Sequence, residues 1–272
     1  PDYIDGNFKT LTKGIRYEVS NNELKLKINS EMDFRFPLWV DPTLRADADA
    51  DVILDGQSAN DDFGTAVASA GDFNGDGIDD IIVGAALNVV GSNGSDNFNA
   101  AYIFFGGITG TKRAKDDADV FIETDNLSAF GRSVASAGDF NGDGKDDVII
   151  GAPRNDNNSL TDSGSAYIFF GGITGTKTAD TDADVIIDGQ SAGDTFGVSV
   201  ASAGDFNGDG KSDVIIGAEN DDNNSETNSG SAFIFFGGIT GTKRADADAY
   251  VILDGQSAND EFGESVSSAG DF

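Results

Sequence analysis

Short apolar runs, separated by acidic and glycine-rich turns, recur in a fixed order along most of the chain. Three runs are apolar throughout, Ile81-Ile-Val-Gly-Ala85, Val148-Ile-Ile-Gly-Ala152 and Val214-Ile-Ile-Gly-Ala218. A run of that length, bounded by turn residues, predicts a strand buried on both faces. Before each comes a stretch of small and β-branched residues such as Ser133-Val-Ala-Ser-Ala137. After each, across a polar Asn/Asp/Ser/Gly loop, comes Ala101-Tyr-Ile-Phe-Phe105, Ala166-Tyr-Ile-Phe-Phe170 or Ala232-Phe-Ile-Phe-Phe236. Gly-Gly-Ile-Thr-Gly-Thr turns then lead to Ala118-Asp-Val-Phe-Ile122, Ala183-Asp-Val-Ile-Ile187 and Ala249-Tyr-Val-Ile-Leu253, and an extra copy of this last strand, Ala50-Asp-Val-Ile-Leu54, precedes them all. The pattern predicts four short strands per period and no helix.

Residues 1–46 lie outside this pattern. Arg16-Tyr-Glu-Val-Ser and Glu23-Leu-Lys-Leu-Lys-Ile-Asn29 alternate around Asn21-Asn22, which predicts a β-hairpin. Phe34-Arg-Phe-Pro-Leu-Trp-Val40 is a further apolar run in which Pro37 marks an edge or strand end and Trp39 a core plug. Residues 45–51, Arg-Ala-Asp-Ala-Asp-Ala-Asp, form a polar approach to the repeats.

The period is set by an acidic loop that returns as 72–80 (Asp-Phe-Asn-Gly-Asp-Gly-Ile-Asp-Asp), 139–147 and 205–213, and begins again at Gly270-Asp271-Phe272. Its first Asp advances from 72 to 139, 205 and 271, steps of 67, 66 and 66 residues. Four occurrences in phase define an internal repeat. Four antiparallel strands repeated radially form the blades of a β-propeller, an arrangement that limits exposed sheet edges. The fold expected is all-β, with a β-segment over 1–46 and a propeller region over 47–272. Its blades fall at about 63–125, 130–188 and 196–254, and an open blade draws on 50–54 and 262–272. The small residues of each first strand would face the crowded axis and the Phe pairs would fill the space between blades.

Each complete loop puts carboxylate or amide oxygens at positions 1, 3, 5 and 9 and Gly at position 6, which is how a short loop wraps a hard cation. The expected ligands are the side chains of Asp72, Asn74 and Asp76, the carbonyl of Ile78 and the carboxylate of Asp80. The second loop offers Asp139, Asn141, Asp143, the Lys145 carbonyl and Asp147; the third offers Asp205, Asn207, Asp209, the Lys211 carbonyl and Asp213. Oxygen-only donors fit Ca²⁺ rather than zinc or copper, and three crowded carboxylates repel one another without a cation. Three structural calcium sites are expected. The alternative for any isolated copy is an Asx-rich turn without metal.

Composition narrows the function. With 48 acidic against 17 basic residues the formal charge is −31, which three Ca²⁺ would reduce to about −25. Such a surface repels nucleic acid and anionic membranes, so neither is expected as a partner. The absence of Cys and His removes disulfides, thiolate sites, His-ligated zinc and serine–histidine catalysis. No apolar run has the length of a membrane span. Pro1-Asp-Tyr-Ile-Asp5 is no signal peptide, and the stop within a fourth motif reads as part of a longer chain. The loops at 154–163 and 219–229 read as solvated connections, and the Asn-X-Ser sequons at 93, 126, 157 and 223 as chance matches in an Asn/Ser-rich sequence.

Phe-Gly at 63–64, 130–131, 196–197 and 262–263, the acidic loop, and Gly-Ala-Pro at 151–153 together resemble the FG-GAP repeat of integrin α-subunit propellers over about 47–272. Gly-Ala-Pro is intact once and drifts to Gly84-Ala-Ala86 and Gly217-Ala-Glu219. The resemblance implies a propeller of about seven blades in the family, with Ca²⁺ in the loop joining strands one and two. The function expected is a non-enzymatic, extracellular or cell-surface, calcium-binding module for adhesion, surface structure, or binding a protein or glycan. Two alternatives are kept: a subunit of an extracellular filament or surface layer, homo-oligomeric by strand exchange through the open blade, and an accessory propeller of a larger secreted enzyme.

Overall fold

Strand formation follows the period of the sequence. The computed structural model describes residues 50–57, 61–86, 99–124, 128–223, 225–268 and Gly270, together with the backbone of three strands before residue 29. The chain divides into two units, residues 1–39 and 40–272.

In the first unit β1 (Phe8–Thr12), β2 (Ile15–Ser20) and β3 (Glu23–Ile28) form an antiparallel meander. Ser20 pairs with Glu23 and Ile15 with Ile28, so the two-residue connection expected at Asn21-Asn22 sets the register. The 34–40 run with Pro37 and Trp39, and residues 45–49, lie outside the described residues.

The second unit starts with β4 (Val52–Asp55). The first repeat supplies β5 (Phe63–Gly71), β6 (Asp80–Ala85), β7 (Asn99–Phe104), β8 (Gly110–Arg113), the helical turn α1 (Ala114–Asp117) and β9 (Val120–Thr124). The second supplies β10 (Ser133–Gly138), β11 (Asp147–Ala152), β12 (Ser165–Phe169), β13 (Gly175–Thr178), α2 (Ala179–Asp182) and β14 (Val185–Asp188). The third supplies β15 (Ser199–Gly204), β16 (Asp213–Ala218), β17 (Ser231–Phe235), β18 (Gly241–Arg244), α3 (Ala245–Asp248) and β19 (Val251–Asp254). In each repeat the four expected strands pair antiparallel in sequence order, as in β5-β6-β7-β9, β10-β11-β12-β14 and β15-β16-β17-β19. The chain is an all-β propeller-type structure.

Two features go beyond the sequence reading. The Gly-Thr-Lys-Arg or Gly-Thr-Lys-Thr segment after each third strand is itself a strand. It pairs in parallel with the fourth strand of the preceding repeat: β8 on β4, β13 on β9, β18 on β14. The first and second blades therefore have five strands, the fifth borrowed from the following repeat. The Ala/Asp segments that follow are single helical turns rather than coil. Asp117, Asp182 and Asp248 accept the backbone N–H of Arg113, Thr178 and Arg244 at 2.7, 2.7 and 2.8 Å, fixing the start of each turn.

The apolar cores lie between repeats. Ile82, Ile103 and Ile122 of the first repeat pack with Ile150, Tyr167 and Phe169 of the second. Ile149, Ile168 and Ile187 pack with Ile216, Phe233 and Phe235 of the third in the same way. The Phe of each of the first three Phe-Gly pairs sets an edge-to-face ring contact inside its own blade: Phe63 with Tyr102 at 5.4 Å, Phe130 with Tyr167 at 5.5 Å, Phe196 with Phe233 at 5.4 Å. Among the described residues no helix is long and apolar enough to cross a membrane.

Candidate metal centre

Each acidic loop leaves its first strand through a bulge at a Ser-Ala-Gly step. Gly71, Gly138 and Gly204 take φ of +67°, +64° and +69°, and their N–H groups bond back to Ser69, Ser136 and Ser202 Oγ at 3.1, 3.0 and 3.1 Å. The loop then folds on itself. Asp72 Oδ1 and Oδ2 accept the N–H groups of Gly75 and Gly77, both at 2.9 Å. Asn74 Oδ1 accepts from Asp76 N at 2.7 Å, and Asp76 Oδ1 from Ile78 N at 2.9 Å. The second loop repeats this with Asp139 accepting from Gly142 and Gly144, Asn141 from Asp143, and Asp143 from Lys145, at 2.7–3.0 Å. In the third, Asp205 accepts from Asp209 and Gly210, Asn207 from Asp209, and Asp209 from Lys211. Gly77, Gly144 and Gly210 at position 6 hold φ near +90° (+89°, +91°, +91°), the conformation a side chain would strain.

The ninth-position carboxylate has another environment. Asp80, Asp147 and Asp213 are buried at the start of the second strand. Asp147 Oδ2 accepts from Phe140 N at 2.9 Å and Asn141 N at 3.1 Å, while Oδ1 accepts from Gly171 N at 2.8 Å. Asp80 and Asp213 reach Gly106 and Gly237 in the same way, at 2.7 and 2.8 Å. This residue therefore ties the loop to the turn after the third strand. Burial pushes the Asp147 carboxyl up to about 7, against the lowering effect of those N–H donors; Asp80 and Asp213 shift in the same direction for the same first cause.

Successive loops are linked. Asp72 N donates to Asp146 Oδ2 at 2.8 Å, Gly172 N to Phe73 O at 2.7 Å and Gly238 N to Phe140 O at 2.7 Å.

These donors suit a hard divalent cation, but they are arranged as Asx turns. Among the described residues no three acidic side chains converge into an assembled metal cluster. In each loop the position-3 amide nitrogen faces the position-5 carboxylate, as with Asn74 Nδ2 to Asp76 Oδ2 at 3.0 Å. Presenting oxygens alone to a cation requires that amide to turn over. The oxygens at positions 1, 3 and 5 are otherwise at the surface and retain unused lone pairs, so the residues fit an oxygen-coordinated ion.

The sequence reading missed a second polar layer. The loops at 154–163 and 219–229 are not wholly solvated: Asn155, Asn157, Ser163, Asp221 and Ser229 are buried. Asn157 Nδ2 donates to Gly164 O at 2.7 Å and Asn223 Nδ2 to Gly230 O at 2.8 Å, so both sequon amides are engaged in the fold. Ser165 Oγ donates to buried Asp188 at 2.9 Å, and Ser191 N donates to buried Asp194 at 2.9 Å. Burial, reinforced by the charge of Asp221, pushes the Asp194 carboxyl up to about 7. In the unfolded chain an Asp titrates near 3.9. The folded form therefore holds a proton that the unfolded form loses. The stability this contributes is present below about pH 4 and is lost as pH rises through 7. Urea titrations at pH 5 and pH 8 are expected to show the wild type losing a few kcal/mol more than Asp194→Asn over that interval. Equal losses would place the titration elsewhere.

A repeated four-stranded blade whose first-to-second-strand loop is a self-closed acidic turn defines the class: a β-propeller of loop-braced repeats. Residues 63–104, 130–169 and 196–235 match the family described as FG-GAP repeat, so the chain carries three FG-GAP repeats. It is similar to integrin alpha-PS2 of Drosophila melanogaster, 35% identical over 158 residues covering 56% of this chain and 10% of that protein. Integrin alpha-PS5 of the same organism is 30% identical over 169 residues, 61% of this chain and 16% of that protein. Bovine phosphatidylinositol-glycan-specific phospholipase D is 32% identical over 161 residues, 57% of this chain and 18% of that protein. The chain thus spans less than a fifth of the length of these relatives.

Proposed function

We propose that the chain is an extracellular, adhesion-type propeller module that carries a protein ligand on its blade loops and is braced by calcium at three sites. The observation that supports it is the same acidic loop, with the same donor types and the same internal turn, at the same place in three successive blades. The first site draws on Asp72, Asn74, Asp76, the Ile78 carbonyl and Asp80. Asp139, Asn141, Asp143, the Lys145 carbonyl and Asp147 form the second, and Asp205, Asn207, Asp209, the Lys211 carbonyl and Asp213 the third. The ion would supply charge neutralisation and cross-linking within each loop. The chain's own part is to hold the first three side chains at the surface and the ninth-position carboxylate against the neighbouring turn.

Calorimetric titration with calcium is expected to give about three sites per chain. Asp139→Ala should remove one of them, and EDTA should lower the melting temperature. Absence of calcium uptake, with a melt unchanged by EDTA, would overturn the calcium reading and leave the loops as Asx turns.

The role is one of binding, without a catalytic step. The similarity to integrin alpha subunits supports a protein ligand, and a glycan remains the second ligand class on the same loops. The likeness to the phospholipase supports a second reading, that the same propeller serves as an accessory module within a larger secreted enzyme.

A further inference from the structure

Neighbouring acidic loops share contacts, and the shared residues sit at or beside the expected calcium ligands. Asp146 lies between Lys145 and Asp147, positions 7 and 9 of the second loop. It brackets the first residue of the loop before: Asp146 Oδ2 accepts from Asp72 N at 2.8 Å, and Asp146 N donates to Asp72 O at 3.2 Å. The Lys145 side chain lies over the same loop, its Cε and Cγ 3.1 and 3.3 Å from the place a Cβ on Gly75 would occupy. A second connection runs through the turn after the third strand. Gly171 N donates to Asp147 Oδ1 at 2.8 Å, and the next N–H, that of Gly172, donates to Phe73 O at 2.7 Å. Phe73 separates Asp72 from Asn74, so two successive N–H groups tie position 9 of one loop to position 2 of the other. The Phe73 side chain is fully buried, which anchors the first loop at that point.

The third loop meets the second in the same way, with one bond fewer. Gly237 N donates to Asp213 Oδ1 at 2.8 Å and Gly238 N to Phe140 O at 2.7 Å. The Lys211 side chain lies over Gly142 as Lys145 lies over Gly75. Ser212 N donates to Asp139 O at 3.0 Å. Ser212, however, stands where the second loop has Asp146, and it has no carboxylate to accept from Asp139 N. The chain thus holds two versions of one junction, a stronger and a weaker.

We propose that the acidic loops take up calcium as a coupled row, an occupied loop raising the affinity of the loop before it, with Asp146 as the positioning residue between the first and second. The proposal rests on the calcium reading of the loops. Its physical basis is preorganisation. Asp72 and Asn74 belong to a loop whose far side, residues 75–79, is exposed, and ordering that loop costs conformational entropy. Holding the Lys145 carbonyl and the Asp147 carboxylate in one arrangement also holds Asp146 between them and the Gly171-Gly172 turn. Two backbone points of the first loop, at Asp72 and Phe73, are then fixed before it binds. Linkage makes the effect reciprocal: an occupied first loop raises the affinity of the second by the same factor. Charge does not oppose it. The second loop carries Asp139, Asp143, Asp146 and Asp147 against Lys145, a net of −3 that one divalent ion brings to −1. An occupied loop therefore still attracts a cation to its neighbour.

Calorimetric titration with calcium chloride of loop-deleted variants tests the coupling. Asp205→Ala leaves the first and second loops competent. Adding Asp139→Ala leaves the first alone, and adding Asp72→Ala instead leaves the second alone. The product of the two stepwise association constants of the pair is expected to exceed the product of the single-loop constants by about ten-fold, within the usual span of coupling between sites. Asp146→Ser, placed in all three backgrounds, should reduce that ratio to the few-fold value expected of the second and third loops. Asp146→Asn keeps an acceptor oxygen for Asp72 N and should preserve it. Circular dichroism in EDTA establishes that each variant is folded; where an Ala variant is not, Asn at the same position retains the N–H acceptor and takes its place. A ratio of one, with each loop still taking up calcium, would overturn the coupling and leave the calcium reading standing. A ratio that Asp146→Ser leaves unchanged would overturn the role of Asp146. Absence of calcium uptake by every loop would instead overturn the reading on which the coupling rests.

Discussion

Gly151→Val is expected to destabilise the protein by ~3 kcal/mol or more, in the upper range for overpacked cores. A Cβ at Gly151 would collide with the carbonyl oxygen of Gly197 and with Ser133 Oγ. Gly151 closes the second strand of one blade, and Gly197 belongs to the Phe-Gly of the next. Their backbones touch because neither has a side chain. The same contact recurs in the other repeats, where a Cβ at Gly84 would meet Gly131 O and one at Gly217 would meet Gly263 O, while within each blade Gly131 N donates to Gly151 O at 3.0 Å and Gly197 N to Gly217 O at 2.9 Å. The two signature dipeptides of the repeat are therefore the two halves of one backbone contact between blades. Gly144→Ala provides the comparison. Its site is open, with nothing within 4 Å of the added carbon, but φ is +91°, so only the backbone penalty of ~1–2 kcal/mol applies. Urea denaturation of both variants checks the ordering. A Gly151→Val protein as stable as Gly144→Ala would mean that the blades can slide apart to admit a side chain.

What the sequence made legible follows from where each signal resides. The four antiparallel strands were readable because runs such as Val148-Ile-Ile-Gly-Ala152 are buried on both faces and so are apolar throughout. The parallel fifth strand was not. Gly175-Thr-Lys-Thr178 is short and largely exposed, and its pairing with Val120–Glu123 belongs to another repeat, so nothing local announces it. The helical turns hide for a related reason, since Ala179-Asp-Thr-Asp182 spans a single turn and has no periodicity to detect. In the loops the donor types were readable from residue identity. That Asp80 reaches Gly106, 26 residues away, is a property of the folded blade. Buried Asp221 read as part of a solvated loop, and nothing marked Asp188 or Asp194 as buried, because buried and exposed carboxylates are spelled alike. A faint signal did exist: Asp188-Gly-Gln-Ser191 recurs as Asp55-Gly-Gln-Ser58 and Asp254-Gly-Gln-Ser257, which a freely variable surface turn would not require.

Within one loop, Asp147→Ala is expected to be far more damaging than Asp139→Ala, although both remove a carboxylate. Asp147 is buried, and its loss leaves the part-buried N–H groups of Asn141 and Gly171 without their acceptor and the buried N–H of Phe140 with Gly138 O alone. At about 1–3 kcal/mol for an unsatisfied buried donor, and with partial relaxation, a loss of ~3 kcal/mol is expected in calcium-free buffer. Asp139 also accepts three N–H groups, from Gly142, Asp143 and Gly144, but these are exposed and water replaces the carboxylate. Its loss should cost ~1 kcal/mol. Calcium then separates structure from ligation. A site saturated at a hundred times its dissociation constant adds ~2.7 kcal/mol to the folded state, and a variant lacking a ligand forfeits most of that for its own loop. Unfolding free energies of the wild type and both variants, in EDTA and in millimolar calcium, test the two statements separately. Equal costs in EDTA would remove the distinction between the buried and surface carboxylates. An undiminished calcium increment in Asp147→Ala would show that the ninth position braces the blade without touching the ion.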